Sequence, residues 1–204
     1  MLTLKITAIV YETKTDNRLV ANCHKIPSKE FNKRILKISE IIAAYKTAFD
    51  TIRLINPSIK TLFTVSPVRH IKDTIQKNAI SKATLLLAIH EIMEQFQDVY
   101  YFPSYEIMLD DLRDYRFYAD DMLHPSLVAE DYIWERLKAC CFNEELMNFE
   151  KKWKKIQKSL IHKPFNSIST KHQEFLQKLL SDLENLSNQV NVDKEIEIVK
   201  TQIV

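Results

Sequence analysis

An aspartate and a histidine stand close together in the stretch DDMLHPS, which covers residues 120–126. Asp121 precedes His124 by three residues, so one loop can hold the carboxylate against one ring nitrogen of the imidazole. That contact fixes the tautomer and leaves the other nitrogen free to take a proton from a nucleophile. Pro125 is typical of a helix start and fixes the loop from behind. The pattern predicts a general base with its orienting carboxylate. The alternative is an exposed histidine beside an aspartate that caps the next turn.

Further polar side chains follow the predicted strands, where ligands bind in an open parallel sheet. Asn22 and His24 come after the first strand and its hairpin, and His70 comes after the second. Glu106 follows the third strand. Asn22 is a candidate oxyanion donor, or it stabilises the turn at the strand end. The other three are candidates for substrate binding.

Ser66 is the other nucleophile considered, since it follows a strand and precedes His70 by four residues. Pro67 argues against it, because proline has no backbone N–H for an oxyanion hole. Arg113 and Arg116, together with Glu106, either bind an anionic or sugar substrate or brace the loop with ion pairs; bracing is favoured.

A metal site is a weaker hypothesis, built on donor side chains from three segments. The donors are Cys23, His24, His70, Asp121 and His124. Their spacing matches no recognised zinc signature. We therefore expect no metal and no other cofactor.

The elements that position these residues alternate between strand and helix patterns, which favours a parallel sheet with right-handed crossovers. Strands are recognised by apolar residues that alternate with polar ones, and helices by apolar residues three or four positions apart. The predicted strands are Leu2–Tyr11, Lys60–Val65 and Asp98–Phe102, with a short return strand at Leu19–Ala21. The predicted helices are Ser28–Arg53, capped by Ser28, then Ser81–Phe96, Tyr105–Leu112 and a helix from Pro125 through Leu137.

The composition changes after Cys141. Residues 143–190 carry two apolar helical stripes and predict a helical hairpin, and residues 191–204 predict a frayed tail. The basic cluster Lys151–Lys155 is interpreted as a solvated helix face around a buried tryptophan. Residues 1–142 then form the α/β domain.

The overall composition excludes several function classes. The 204 residues include 29 Lys and Arg against 27 Asp and Glu, a net charge of +2 that is too balanced for a dedicated nucleic-acid binder. No apolar run reaches the roughly 18 residues of a membrane span. The sequence contains no glycine, which excludes a P-loop, a Rossmann fingerprint and a G-x-S-x-G elbow. The three cysteines and the absence of a leader pattern favour a reduced, cytoplasmic chain by default.

Several uncommon sequence segments, in the same order along the chain, make it similar to one family. They are VANCHKIP from Val20, TVSPVRHIKD from Thr64, NAISKATLL from Asn78, YYFPSYEI from Tyr100, DDLRDYRFYADDMLHPS from Asp110 and DYIWERL from Asp131. Over about residues 2–142 the chain resembles the GSCFA-domain family, a branch of the SGNH/GDSL hydrolases. The resemblance implies a flavodoxin-like, SGNH-type three-layer parallel sheet, with Asp121 and His124 as the family's acid and base.

The sequence departs from that family at its beginning. It contains no glycine-serine-cysteine-phenylalanine-alanine stretch, where the family's nucleophilic serine is expected, and it begins at what corresponds to the third sheet strand. In that family a glycine-containing motif stands where this sequence has Thr3–Ala8. The backbone of an oxyanion hole would be expected there, near Lys5 or Ile6. We therefore expect a chain truncated at its N-terminus that is inactive alone.

Two function classes remain open. The first is an acyl-ester hydrolase domain that acts on a small-molecule ester or acylated glycan once a partner chain completes it as a split enzyme. The second is a non-enzymatic interaction module, in which the hairpin recruits a partner. In either case the free edge of the first strand is expected to pair with another copy or another chain.

Overall fold

The computed structural model describes residues 2–4, 7–20 and 25–204, which form a mixed α/β fold. The chain divides into two compact units, Met1–Leu137 and Lys138–Val204. The division falls inside a helix, a few residues before the boundary expected after residue 142.

The strands are β1 (Leu2–Leu4), β2 (Ile9–Thr13), β3 (Leu19–Val20), β4 (Phe31–Ile35), β5 (Thr61–Val65) and β6 (Val99–Tyr101). The α-helices are α1 (Ile38–Ile55), α2 (Ile75–Gln95), α3 (Ser104–Leu109), α4 (Leu127–Cys141), α5 (Glu144–Leu160), α6 (Thr170–Leu186) and α7 (Asp193–Lys200). None of these helices is long and apolar enough to cross a membrane.

The parallel sheet has the strand order β1-β5-β6. Leu2 of β1 pairs with Phe63, and Thr61 pairs with Val99 of β6, both in parallel. The predicted parallel sheet of three strand segments is therefore confirmed. Among the described strands β1 lies at an edge, and its pairing with another chain remains a prediction.

The first predicted strand, Leu2–Tyr11, is wrong as a single element. It divides into β1 and β2, and β2 joins a second sheet with the order β3-β2-β4. β3 pairs antiparallel with β2, which confirms the predicted return strand, and β4 pairs antiparallel on the other side. The described residues thus form two three-stranded sheets, where a single three-layer parallel sheet was expected.

The predicted helix Ser28–Arg53 is wrong over its first ten residues. Phe31 and Ile35 lie on β4, where they pair with Thr13 and Ile9. A spacing of four residues places side chains on one face of a strand as well as on one face of a helix, so the pattern could not separate the two. α1 begins only at Ile38, and Ser28 starts a short 3₁₀ turn.

The other predicted helices are present with shifted ends. α2 begins six residues before Ser81, α3 is shorter than Tyr105–Leu112 at its C-terminal end, and α4 begins two residues after Pro125. Asn56 ends α1, as its position before Pro57 predicts.

The two faces of β5 contribute to different parts of the N-terminal unit. Phe63 and Val65 are fully buried in a core formed with α1 and α2. The ring of Phe63 meets Tyr45 edge-on at 4.9 Å, and Phe49 lies 5.1 Å from Phe96. Thr64 points to the opposite face, because successive strand residues alternate.

The C-terminal unit has its own core, built on one stripe of α6. The stripe is Leu176, Leu179, Leu183 and Leu186, all buried. Val192, just before α7, and Val199, within α7, are fully buried in the same cluster. The stretch 191–204 therefore contains a packed helix where a frayed tail was expected. Trp153 is half-buried against Phe149, and the surrounding lysines are exposed.

We expect Phe49→Ala to lower the free energy of unfolding by about 3–5 kcal/mol, because it leaves a cavity among packed aromatic rings. Leu54→Ala on the same helix is the matched control: Leu54 is 86% exposed, and its loss changes stability by about 0.5 kcal/mol or less. Urea denaturation measures both. Equal effects of the two substitutions would contradict this description of the core.

Candidate functional site

Asp121 and His124 are in direct contact, as the sequence predicts. Oδ2 of Asp121 lies 2.6 Å from Nδ1 of His124. Oδ1 of the same carboxylate accepts the backbone N–H groups of Leu123 at 2.8 Å and His124 at 3.0 Å. The carboxylate therefore fixes both the turn of the backbone and the direction of the ring.

The loop is held from both sides. Met122 has a φ of 57°, the left-handed conformation that glycine usually supplies. Arg69, from the segment after β5, donates its backbone N–H to the Leu123 carbonyl and its guanidinium to the Met122 carbonyl, both at 3.0 Å. The backbone of Ala119 donates to the His124 carbonyl at 2.8 Å. The loop is thereby attached to the carboxyl end of the central strand.

The electrostatics of the pair fix the imidazole tautomer. The backbone N–H of His124, then its ring and the backbone N–H of Leu123, lower the pKa of Asp121 to about 2. The carboxylate is thus ionised at neutral pH and can only accept hydrogen bonds, so Nδ1 must donate. Nε2 of His124 has no hydrogen-bond partner within residues 2–4, 7–20 and 25–204. That nitrogen is available to take a proton.

An apolar cavity of about 310 Å³ lies beside this ring, and we call it the His124 cavity. Its lining comes from the end of β5 and the segment after it, the end of β6, and α4. The lining side chains other than His124 are Thr64, Pro67, Val68, Phe102, Ser104, Pro125, Glu130, Ile133, Trp134 and Leu137. The imidazole of His124 therefore lies at the edge of an apolar pocket.

The GSCFA family model matches residues 1–137, and the model of the GSCFA domain protein C-terminal domain matches residues 153–204. The chain belongs to the GSCFA family. The first match ends at the residue where the first structural unit ends. Comparisons with curated proteins and with solved structures found no match.

A second histidine–aspartate pair of this GSCFA chain is arranged differently. Nε2 of His70 lies 3.0 Å from Oδ2 of Asp73, and Lys33 donates to the other oxygen of that carboxylate. Burial opposes ionisation of Asp73, but the hydrogen bonds from Lys33 and His70 outweigh it and lower its pKa. His70 is half-buried in this ion-pair cluster, and its proposed part in substrate binding remains a prediction.

Ser66 is not arranged as a nucleophile. Its Oγ accepts the backbone N–H of Val68 at 3.3 Å, and only 7% of the residue is exposed. His70 directs Nε2 to Asp73, away from a role as base for this serine. The Ser66 carbonyl accepts a hydrogen bond from Lys82 at 2.5 Å.

Lys82 is a feature that the sequence reasoning missed. Its side chain is 1% exposed, and burial lowers its pKa to about 8. The ammonium also lies 5.4 Å from the ring centre of Tyr105. A signal was present, because Lys82 falls at helical spacing on the same stripe as Leu85 and Ile89, which are buried.

Glu106 accepts the hydroxyl of Tyr101 through both carboxylate oxygens, at 2.9 and 2.7 Å. Burial, followed by this contact, raises the pKa of Tyr101. Arg113 and Arg116 form exposed ion pairs with Asp110 and Asp114. The two arginines therefore brace their own loop.

Five of the predicted positions lie outside the described residues: Asn22, Cys23, His24 and the backbone at Lys5 and Ile6. The structure says nothing of their roles. In the part of the chain that it describes, no three His, Cys, Asp or Glu side chains converge in a way that could hold a metal ion.

We expect Asp121 to stabilise the protein only while it is ionised. Its pKa is lowered from 3.8 to about 2, so its contribution is complete above pH 3.8 and is lost as the pH falls through about 2. Asp121→Asn should lower the free energy of unfolding at neutral pH, and the difference from the unaltered protein should shrink between those two values. Urea denaturation over a pH series measures it.

Asp120→Asn is the matched control, since it removes the neighbouring carboxylate but none of the three contacts of Asp121. Its pH profile should follow that of the unaltered protein. A deficit of Asp121→Asn that stays constant down to the lowest pH would contradict the role of the ionised carboxylate.

Proposed function

We propose that this GSCFA-family chain supplies the histidine–aspartate part of a serine-type acyl-ester hydrolase site. The observation that carries the proposal is the contact of Nδ1 of His124 with Oδ2 of Asp121, at 2.6 Å. An ionised carboxylate on Nδ1 leaves Nε2 as the base and stabilises the imidazolium that forms when Nε2 takes a proton.

In this reaction a hydroxyl oxygen attacks the ester carbonyl while its proton passes to Nε2 of His124. Collapse of the tetrahedral intermediate breaks the ester C–O bond, and the imidazolium returns the proton to the departing alkoxide. Water then cleaves the acyl intermediate by the same proton transfers. Asp121 remains ionised throughout and acts on the ring alone.

The attacking serine is proposed to lie outside these 204 residues. The sequence has no glycine-serine stretch of the kind that names the family, and Ser66 is bonded elsewhere. Without that serine we propose that His124 of the isolated chain activates water, which gives weak hydrolysis without a covalent intermediate.

The finer fold proposed is an SGNH-type, flavodoxin-like arrangement of the parallel sheet. Two observations support it: α1 and α2 share a core with Phe63 and Val65, and Ile133 and Leu137 of α4 line a cavity with Thr64 on the opposite face. Helices on both faces of a parallel sheet, with the histidine loop at its carboxyl edge, are what that architecture requires.

The test is hydrolysis of 4-nitrophenyl acetate by the purified chain, with and without His124. Because general-base catalysis typically contributes about 100-fold or more, His124→Ala should reduce the protein-dependent rate by about that factor. Asp121→Asn should also reduce it. A fluorophosphonate probe should label no serine.

His90→Ala is the matched control, because His90 also pairs with a carboxylate, that of Glu94 at 3.4 Å, but on the exposed surface of α2. Its rate should equal that of the unaltered protein. Hydrolysis that is unchanged in His124→Ala would overturn the proposal. Stoichiometric labelling of a serine that is lost in His124→Ala would show that the nucleophile is in this chain.

The alternative function, a non-enzymatic interaction module, is supported by one observation. The connection between α5 and α6 exposes three apolar side chains, those of Ile161, Phe165 and Ile168. Exposed apolar surface of this kind marks contact sites.

Under this alternative, Phe165→Ser should reduce concentration-dependent self-association, measured by sedimentation velocity. Ile55→Ser is its control, since Ile55 is 84% exposed on the N-terminal unit. A protein that stays monomeric at all concentrations would contradict self-association through this connection.

A further inference from the structure

Two hydroxyl groups line the His124 cavity, and both already make hydrogen bonds within the protein. Ser104 donates its hydroxyl to the Val65 carbonyl at 2.8 Å, and the hydroxyls of Thr64 and Ser104 are 2.5 Å apart. Hydroxyls that are paired in this way offer little to a polar ligand. This part of the lining therefore presents an apolar surface despite its two polar residues.

The walls of the cavity are apolar, and the ring of His124 is part of the same lining. The walls are formed by Pro67, Val68, Phe102, Ile133, Trp134 and Leu137. The ionisable lining residues are His124 and Glu130, and Asp121 lies behind the ring of His124. A ligand with an apolar chain in the cavity would thus place its polar end at the imidazole.

The volume limits the length of that chain. Ligand pockets usually range from about 300 to 1,000 Å³, so the cavity of 310 Å³ is at the small end. We propose that the His124 cavity binds the acyl chain of a neutral ester, up to roughly ten carbons long, counting about 30 Å³ for each methylene-sized or water-sized group. This inference rests on the proposed function, because it places the ester carbonyl beside the base.

The charge at the cavity favours an ester over its product. Asp121 contacts the ring of His124 and Glu130 is part of the cavity lining, so hydrolysis creates a third carboxylate at a site that already holds two. Like charges repel, so the fatty-acid anion should bind more weakly than a neutral molecule of equal length. The same repulsion assists product release.

Binding can be measured without catalysis. The chain has two tryptophans, and Trp153→Phe leaves Trp134 in the cavity wall as the one reporter. Titration of that protein with 1-butanol, 1-hexanol, 1-octanol and 1-dodecanol should change the Trp134 fluorescence. Affinity should increase about fourfold for each methylene up to about ten carbons and then level off. Octanoate should bind more weakly than 1-octanol.

Two substitutions in the cavity wall should change alcohol binding in opposite directions. Misfolding would weaken binding in both variants. Val68→Phe fills the cavity and should weaken 1-octanol binding by about tenfold or more. Ile133→Ala enlarges it and should move the levelling-off to longer alcohols. Val128→Phe, on the exposed side of α4, adds the same bulk outside the cavity and should leave binding unchanged.

Hydrolysis of 4-nitrophenyl acetate and 4-nitrophenyl octanoate separates this inference from the proposed function. An octanoyl preference that is lost in Val68→Phe and kept in Val128→Phe supports both. Hydrolysis that needs His124 but is equal for the two esters overturns the acyl cavity alone. Chain-dependent alcohol binding without His124-dependent hydrolysis overturns the proposed function alone. If the protein self-associates and its Trp134 fluorescence does not respond to any alcohol, the acyl cavity is overturned. A second copy of the chain would then be the occupant of the cavity.

Discussion

Strand β5 holds the N-terminal unit together, because its side chains pack on both faces of the sheet and its backbone pairs with a strand on each side. Phe63 and Val65 fix α1 and α2 on one side, while the Thr64 hydroxyl bonds to Ser104 on the other. β1 and β6 pair with it in parallel. The chain after β5 then carries Arg69 to the loop of His124. A change in the position of this strand would therefore move the core and the candidate site together.

The histidine loop shows how a chain without glycine forms a tight turn. Met122 takes the left-handed conformation, which is unfavourable for a residue with a side chain. The turn is stabilised by two backbone N–H groups on one oxygen of Asp121 and by two donors of Arg69 on neighbouring carbonyls. The same carboxylate that would orient the base also holds the backbone in shape. Structure and proposed chemistry thus depend on one side chain.

The two histidine–aspartate pairs have the same three-residue spacing but different surroundings. Asp73 is shared with Lys33, and His70 is half-buried beside it, so that pair belongs to an ion-pair cluster between segments. His124 has more than half of its side chain exposed and borders an apolar cavity. Spacing alone cannot separate a structural pair from a candidate catalytic one. The neighbours of each aspartate decide the difference.

The sequence by itself determined the parallel strand segments, the contact between Asp121 and His124, and the helical hairpin, because each depends on neighbours a few residues apart or on a regular apolar period. It did not separate β4 from α1, since Phe31 and Ile35 fit both periods until β2 is present as a pairing partner. Nor could it show that Lys82 is buried, that Asp73 binds both His70 and Lys33, or that Trp134 and Val68 enclose a cavity beside His124. These depend on residues far apart in the chain, and only packing of β5 between its helices brings them together.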